Sequence, residues 1–186
     1  MEKKKQIIEC AMKLLIKNGP QAAPMSAISK EAGVGMGTIY NYFVTKEDLI
    51  NQIYVFIKSD QVKNIQHPLS HLPIKHQFDI YYESLIQYFV DNPLYFQYLD
   101  QFHNAPVLTE KTRKHGNKSM SFINDLLICG QEQGLIKPIG VKEMIQFLNG
   151  GLMSFVRWIH YKNIQLNRML ITNQLQIAWD AVKINV

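Results

Sequence analysis

"EAGVGMGTIYNYFVTKEDL" (residues 31–49) places three glycines within five positions, follows them with Ile39 and Phe43 four apart, and then restarts helical spacing in a charged run. Residues four apart share one side of a helix, so Ile39 and Phe43 predict a short helix from Met36 to Phe43 held down on that side. Gly37, Thr38 and Asn41 then point outward, with Tyr40 and Tyr42 on the flanks. Thr45 and Asp48 open the next helix as an N-cap and an acidic third position. Upstream, "MSAISKEA" (25–32) sets Ile28 and Ala32 on one face of another short helix, with Pro24 suited to its first turn. Gly33 between the two supplies the left-handed residue a sharp reversal needs. Helix, glycine turn and a second helix of about two turns form a helix-turn-helix, the arrangement that lays one helix across a DNA backbone and the next in the major groove. Gly35 and Gly37 remove side chains where a helix N-terminus would approach phosphates or base edges, and the outward hydroxyls and amide suit the same contacts.

Working outward, every element reads helical. Ile7, Ala11, Leu14 and Leu15 recur at helical spacing up to a stop at "NGP" (18–20), and Leu49, Ile50, Ile53, Tyr54 and Ile57 continue the helix opened at Thr45. "HPLSHLPIKH" (67–76) is the most loop-like part of the chain and marks a boundary. Beyond it come helices around Phe78–Phe89, a short one after "DNP", a longer one from Thr112 to Gln133, and two more at 141–161 and 166–184. No alternating strand pattern of useful length is present. The expectation is an all-α protein of about nine helices, with a helix-turn-helix domain over 1–46, a connecting helix over 47–66 and a helical domain over 74–186.

The stretch "ISKEAGVGMGTIYNYFVTKEDLI" resembles the signature of the tetracycline-repressor (TetR) family: an A-G-V turn, a G-T-x-Y-x-Y/H-F recognition helix and a following K-E-x-L. The match covers residues 5 to about 55; the remainder is similar only in being helical, of suitable length and rich in aromatics. The resemblance implies a homodimeric transcriptional regulator, usually a repressor, that binds a double-stranded, palindromic DNA operator and is released by a small-molecule effector in its C-terminal domain. It implies DNA contacts from Thr38, Tyr40 and Tyr42, a phosphate contact from Lys46 and close approach at Gly37. Three positions depart from the pattern. Gly35 replaces a serine, Met36 stands where a polar or basic residue is common, and Pro24 replaces a capping threonine. Ser26 is the candidate to take over that last contact, and Met36 is suited to a thymine methyl. Fewer polar contacts imply weaker binding at high salt. Periodicity (Met36, Ile39, Phe43) would bury Met36, whereas the family pattern turns it outward.

Nine aromatic residues lie between Phe78 and Phe102, more than one packing seam needs. Each by itself fits an ordinary core stripe, but together the tyrosines suggest a pocket for an apolar or aromatic ligand. Its expected lining is Tyr81, Tyr82, Tyr88, Tyr98 and Phe102 with Phe122, Phe155 and Trp158, and His103 as a polar anchor. "MIQFLNGGLMSFVRWIHY" (144–161) is apolar on nearly all sides, so a partner helix is its economical cover. The expected dimer interface combines Phe147, Gly151 and Ser154 with Ile171, Leu175, Ala178 and Val182 of the last helix.

The formal charge of +5 over 186 residues permits an anionic partner without demanding one. Cys10 and Cys129 form no metal-type pair and read as buried thiols. His67, His71 and His76 flank prolines without a carboxylate or thiolate partner, so no metal site is expected. There is no phosphate loop, G-x-S-x-G or H-E-x-x-H, which argues against an enzyme, and nothing calls for a cofactor. With no long apolar run and no cleavable leader, a cytoplasmic protein without membrane contact is expected.

Overall fold

The computed structural model describes residues 2–65, 68, 70–117 and 121–184. Among them are ten helices: α1 Glu2–Asn18, α2 Met25–Glu31, α3 Met36–Tyr42, α4 Lys46–Asn64, α5 Ile74–Asp91, α6 Pro93–Phe102, α7 Glu110–Asn117, α8 Ser121–Glu132, α9 Val141–Lys162 and α10 Arg168–Val182. The all-α expectation holds, and the described residues contain only one isolated bridge, Ile136 with Lys183. The extra helix arises where one was expected from Thr112 to Gln133: helical residues there fall into α7 and α8, separated by 118–120, which lie outside the described residues. His67 of the histidine trio also lies outside them, and the described residues hold no group of three potential metal ligands.

The helices pack as two compact units. One runs to Asp60 and includes Leu94–Gly116; the other comprises Gln61–Pro93 and the chain from Asn117 onward. These packing units are not the linear segments 1–46, 47–66 and 74–186, because α6 and α7 return to the amino-terminal helices. A buried hydrogen bond shows how: the Tyr98 hydroxyl on α6 donates to the Ile50 carbonyl on α4 at 2.8 Å.

In the first unit α1 buries Ile7, Ile8, Ala11, Met12 and Leu15, a stripe that recurs at the helical period. In the same unit Ile28 of α2, Ile39 of α3, Phe43, and Leu49, Ile53 and Ile57 of α4 are all without solvent exposure. Gly33 has φ +61°, the left-handed region expected of the turn. Buried Ser29 ties that turn from both sides, since the Val34 amide donates to its carbonyl and its hydroxyl donates to the Val34 carbonyl. In the second unit α5 buries Phe78, Tyr81, Tyr82, Leu85, Tyr88 and Phe89. Phe78 stacks on Tyr82 with centroids 5.4 Å apart and meets Trp179 of α10 at the same distance.

Two measurements check this packing. Tyr98→Phe removes one buried hydrogen bond and leaves the ring, so urea denaturation should show a loss of about 1 kcal/mol. Gly33→Ala forces a Cβ into the left-handed region and should lose about 1–2 kcal/mol by the same assay. No loss at Gly33 would mean that the turn does not need its positive φ.

Candidate nucleic-acid interface

The recognition candidate α3 is only seven residues long, and its Gly35 N-cap (φ −70°, ψ 154°) offers no side-chain cap. Its position is set from beneath. Ile39 and Phe43 are fully buried, while Met36 (39%), Tyr40 (48%) and Tyr42 (37%) are exposed, as are Gly35, Gly37 and Asn41. Thr38 is half-buried. Met36 thus faces outward, as the family pattern has it and as periodicity alone does not. Ser26 on α2 is exposed too.

The glycines separate into two kinds. Gly33 is required by its own backbone. Gly35 and Gly37 have no positive φ, and a Cβ at either would meet no atom within 4 Å. Nothing within the described chain needs a glycine at those two positions. The open amino-terminal turn also leaves backbone N–H groups without intrahelical partners beside those glycines.

The junction into α4 is held by a reciprocal cap. The Asp48 amide donates to Thr45 Oγ1 and the Val44 amide donates to Asp48 Oδ2, both at 3.1 Å. Lys46, expected at a phosphate, is half-buried and donates to the Pro20 carbonyl at 2.7 Å, fastening the start of α4 to the end of the α1 connection. An ammonium has further donors, so this bond does not consume the group. Sequence reasoning missed two other supports. Lys4 places Nζ 5.5 Å from the Phe43 ring centroid, and Gln6 donates to the Ala32 carbonyl at 3.0 Å. Both are single side chains on α1 with no local signal of their target. Cys10 is half-buried with its Sγ 3.6 Å from the Glu31 carbonyl, and burial holds its thiol pKa up.

The expected pocket residues divide between the two units. In the first, Tyr98 and Phe102 are buried and stacked at 4.7 Å, and exposed His103 has Nδ1 3.5 Å from the Tyr54 hydroxyl. In the second, Tyr81, Tyr82 and Tyr88 are buried. Burial pushes the Tyr81 and Tyr82 phenols up to about 12, and the Tyr82 hydroxyl donates to the Leu148 carbonyl at 2.9 Å. Phe122 lies 5.0 Å from Tyr81, and half-buried Phe155 pairs at 6.0 Å with Trp158, which is 44% exposed.

The residues expected at a dimer interface divide by exposure in the single chain. Phe147, Gly151 and Ser154 are exposed, but Ile171, Leu175, Ala178 and Val182 are each 8% exposed or less, filling the core of their own unit. The apolar stripe of α10 is covered within its own subunit. The large apolar residues that α10 leaves exposed are Met169 and Ile177, at 67% and 63%.

Comparison with known proteins places this geometry. Residues 7–53 match the family model "Bacterial regulatory proteins, tetR family", and residues 54–184 match "Tetracyclin repressor-like, C-terminal domain". The HTH-type transcriptional regulator YhgD of Bacillus subtilis, itself uncharacterized, is 26% identical over 143 residues, covering 74% of each chain. The fatty acid metabolism regulator protein of the same organism is 43% identical over 49 residues, 26% of this chain and 25% of that one. A putative TetR-family regulator from Shewanella sp. PV-4 superposes with a TM-score of 0.88 at 22% identity, covering 98% of this chain and 99% of that one. The regulator FadR of Bacillus subtilis in complex with stearoyl-CoA gives 0.70 at 20% identity, covering 94% and 96%. At those identities the two structures establish the fold alone. With family models spanning both the helix-turn-helix and the helices after it, this chain belongs to the TetR family of bacterial regulatory proteins, DNA-binding transcriptional regulators rather than enzymes.

Proposed function

We propose that this regulator is a homodimeric repressor that reads a palindromic operator through α3 and leaves it when a small, largely apolar effector binds. Residues 1–46 act as the DNA-binding domain, 47–66 as the connecting helix and 74–186 as the effector and dimerisation domain. The observation that carries the DNA reading is the outward face of α3: Thr38, Tyr40, Asn41 and Tyr42 stand above two buried anchors, beside two glycines their own fold does not need. Phosphate contacts come from Lys46 and Ser26, and Met36 lies against a base methyl. The protein works in the cytoplasm, where its operator is; no helix among the described residues is long and apolar enough to cross a membrane.

Two copies pair through a stripe on α9. Phe147, Gly151, Ser154, Trp158 and Tyr161 recur at i, i+4, i+7, i+11 and i+14, and all are exposed in the single chain, with Met169 and Ile177 of α10 supplying further uncovered apolar surface. Small residues in the middle of the stripe allow close helix approach. Pairing sets two recognition helices about 34 Å apart, the spacing of successive major grooves, and an effector that favours another spacing shifts the population off DNA. FadR, a neighbour of the same fold, holds an acyl-CoA, which supports an effector with a long apolar part.

Fluorescence anisotropy on a footprinted duplex from the flanking promoter tests the DNA reading. Tyr40→Ala should weaken specific binding by about 1–3 kcal/mol, while affinity for random duplex changes little. Gly37→Ala should stabilise the fold slightly, by about 0.5–1 kcal/mol as an added helix former, yet weaken binding by obstructing close approach. Equal affinity for operator and random DNA, unchanged by Tyr40→Ala, would overturn the assignment. For the dimer, sedimentation should give two copies at micromolar protein, and Phe147→Lys with Trp158→Lys should give one copy with weakened operator binding. A wild-type monomer would refute the α9 interface.

A further inference from the structure

The exposed face of α3 has one residue at its centre. Asn41 lies two positions after Ile39 and two before Phe43, so at about 100° per residue its side chain points about 160° away from each buried anchor. No other residue of α3 faces so directly away from the core. Gly37 and Thr38 border Asn41, whereas Met36, Tyr40 and Tyr42 sit nearer the rims. A helical side chain leans toward the amino terminus, which brings Asn41 over the turn that begins at Gly37, four residues earlier. A Cβ placed at Gly37 would meet no atom within 4 Å, so the surface beside the Asn41 side chain is open.

The polar groups bordering this face are committed elsewhere. Asp48 accepts from the Val44 amide and from Gln52, Thr45 accepts from the Asp48 amide, and Lys46 donates to the Pro20 carbonyl, all at the junction into α4. Among the described residues no hydrogen bond uses the Asn41 amide, which leaves its donor and its acceptor available. Helix α3 carries no lysine, arginine, aspartate or glutamate. The nearest cations, Lys30 and Lys46, stand on the helices before and after it. Among the exposed side chains of α3, Asn41 alone sets a donor and an acceptor side by side in one plane.

That arrangement discriminates between bases. In the major groove guanine presents two adjacent acceptors, N7 and O6, which suit arginine or lysine. Adenine presents the acceptor N7 beside the donor N6, the complement of a side-chain amide. A hydroxyl both donates and accepts, so it bonds to either base and selects neither.

We propose that Asn41 is the specificity-determining residue of this regulator, donating from Nδ2 to N7 and accepting at Oδ1 from N6 of one adenine in each half of its operator. The proposal rests on the reading of α3 as the helix that enters the major groove, and it names the base read there. Asparagine is short, so both bonds form only when the helix comes close to the base edge, and Gly37 leaves that approach unobstructed on the side toward which Asn41 leans. With no cation on α3, guanine has no comparable partner at the centre of the face.

Fluorescence anisotropy with the full-length protein tests this on the footprinted duplex, with each adenine of a half-site replaced in turn by 7-deazaadenine, which lacks N7, or by purine, which lacks the 6-amino group. At one position both analogues should weaken wild-type binding about tenfold or more. Asn41→Ala should weaken operator binding by a similar factor without lowering the thermal midpoint, while affinity for random duplex changes little. In that variant the cost of either analogue at the same position should fall below about threefold. The absence of any adenine at which both analogues matter, or a cost that is undiminished in Asn41→Ala, overturns the adenine contact. If the operator is then still preferred to random duplex, and Tyr40→Ala still reduces that preference, the reading of α3 stands without it. Equal losses on operator and random duplex in Asn41→Ala assign the amide to phosphate and overturn the proposal as well. A wild-type protein with no preference for the operator overturns the reading of α3 and the proposal together.

Discussion

The burial of Ile39 and Phe43 beneath a seven-residue helix is the constraint on which everything else depends. Such a helix is too short to persist alone in water, so its shape is imposed by the apolar surface under it. Once those two side chains are committed inward, the period of the helix leaves Tyr40, Asn41 and Tyr42 no place but outside. The composition of that surface is therefore a consequence of the core. The same logic explains the scatter of supports around it: the Lys46 bond to the Pro20 carbonyl, the Thr45–Asp48 cap and the Lys4 contact with Phe43 each fix an edge of an element that cannot fix itself.

Helix α4 extends that control. Within the first unit it begins four residues after Tyr42 and then carries Asn51, Tyr54 and Lys58 on one face toward the segment after α6. A rigid helix cannot shift at one of these points without shifting at the others. Asn51, which donates to the Val107 carbonyl and accepts from the Thr109 amide, matters here because it joins backbone groups, whose hydrogen bonds are costly to leave unmade, through one side chain that uses both its donor and its acceptor.

How much of this was legible in the sequence follows from what each signal can carry. The helix-turn-helix was readable because all its determinants are local: a glycine at a left-handed turn, anchors four apart and a capping pair three apart. The all-helical class was readable from periodicity. The apolar stripes of the last two helices were legible, but not what covers them. Ile171, Leu175, Ala178 and Val182 form a correct apolar stripe, but a stripe states that a face is covered, not by which molecule, and here the cover is the chain's own core. Phe147, Gly151 and Ser154 on α9 carry the same kind of signal and stay exposed. Met36 shows the opposite failure, since its spacing matches Ile39 and Phe43 although it sits at the rim of a helix too short to bury a third residue. The contacts of Asn51 with Thr109 and of Tyr54 with His103 span 58 and 49 positions and leave no local trace.

The lack of a side-chain cap on α3 has a thermal corollary. A helix of this length, held by Ile39 and Phe43 and open at its first turn, frays on warming before the longer helices melt. The outward face of α3 should then relax over a temperature range in which the rest of the chain is still folded. The Gly35 start of the helix, where a serine would have added a capping hydroxyl, sets how early that relaxation begins.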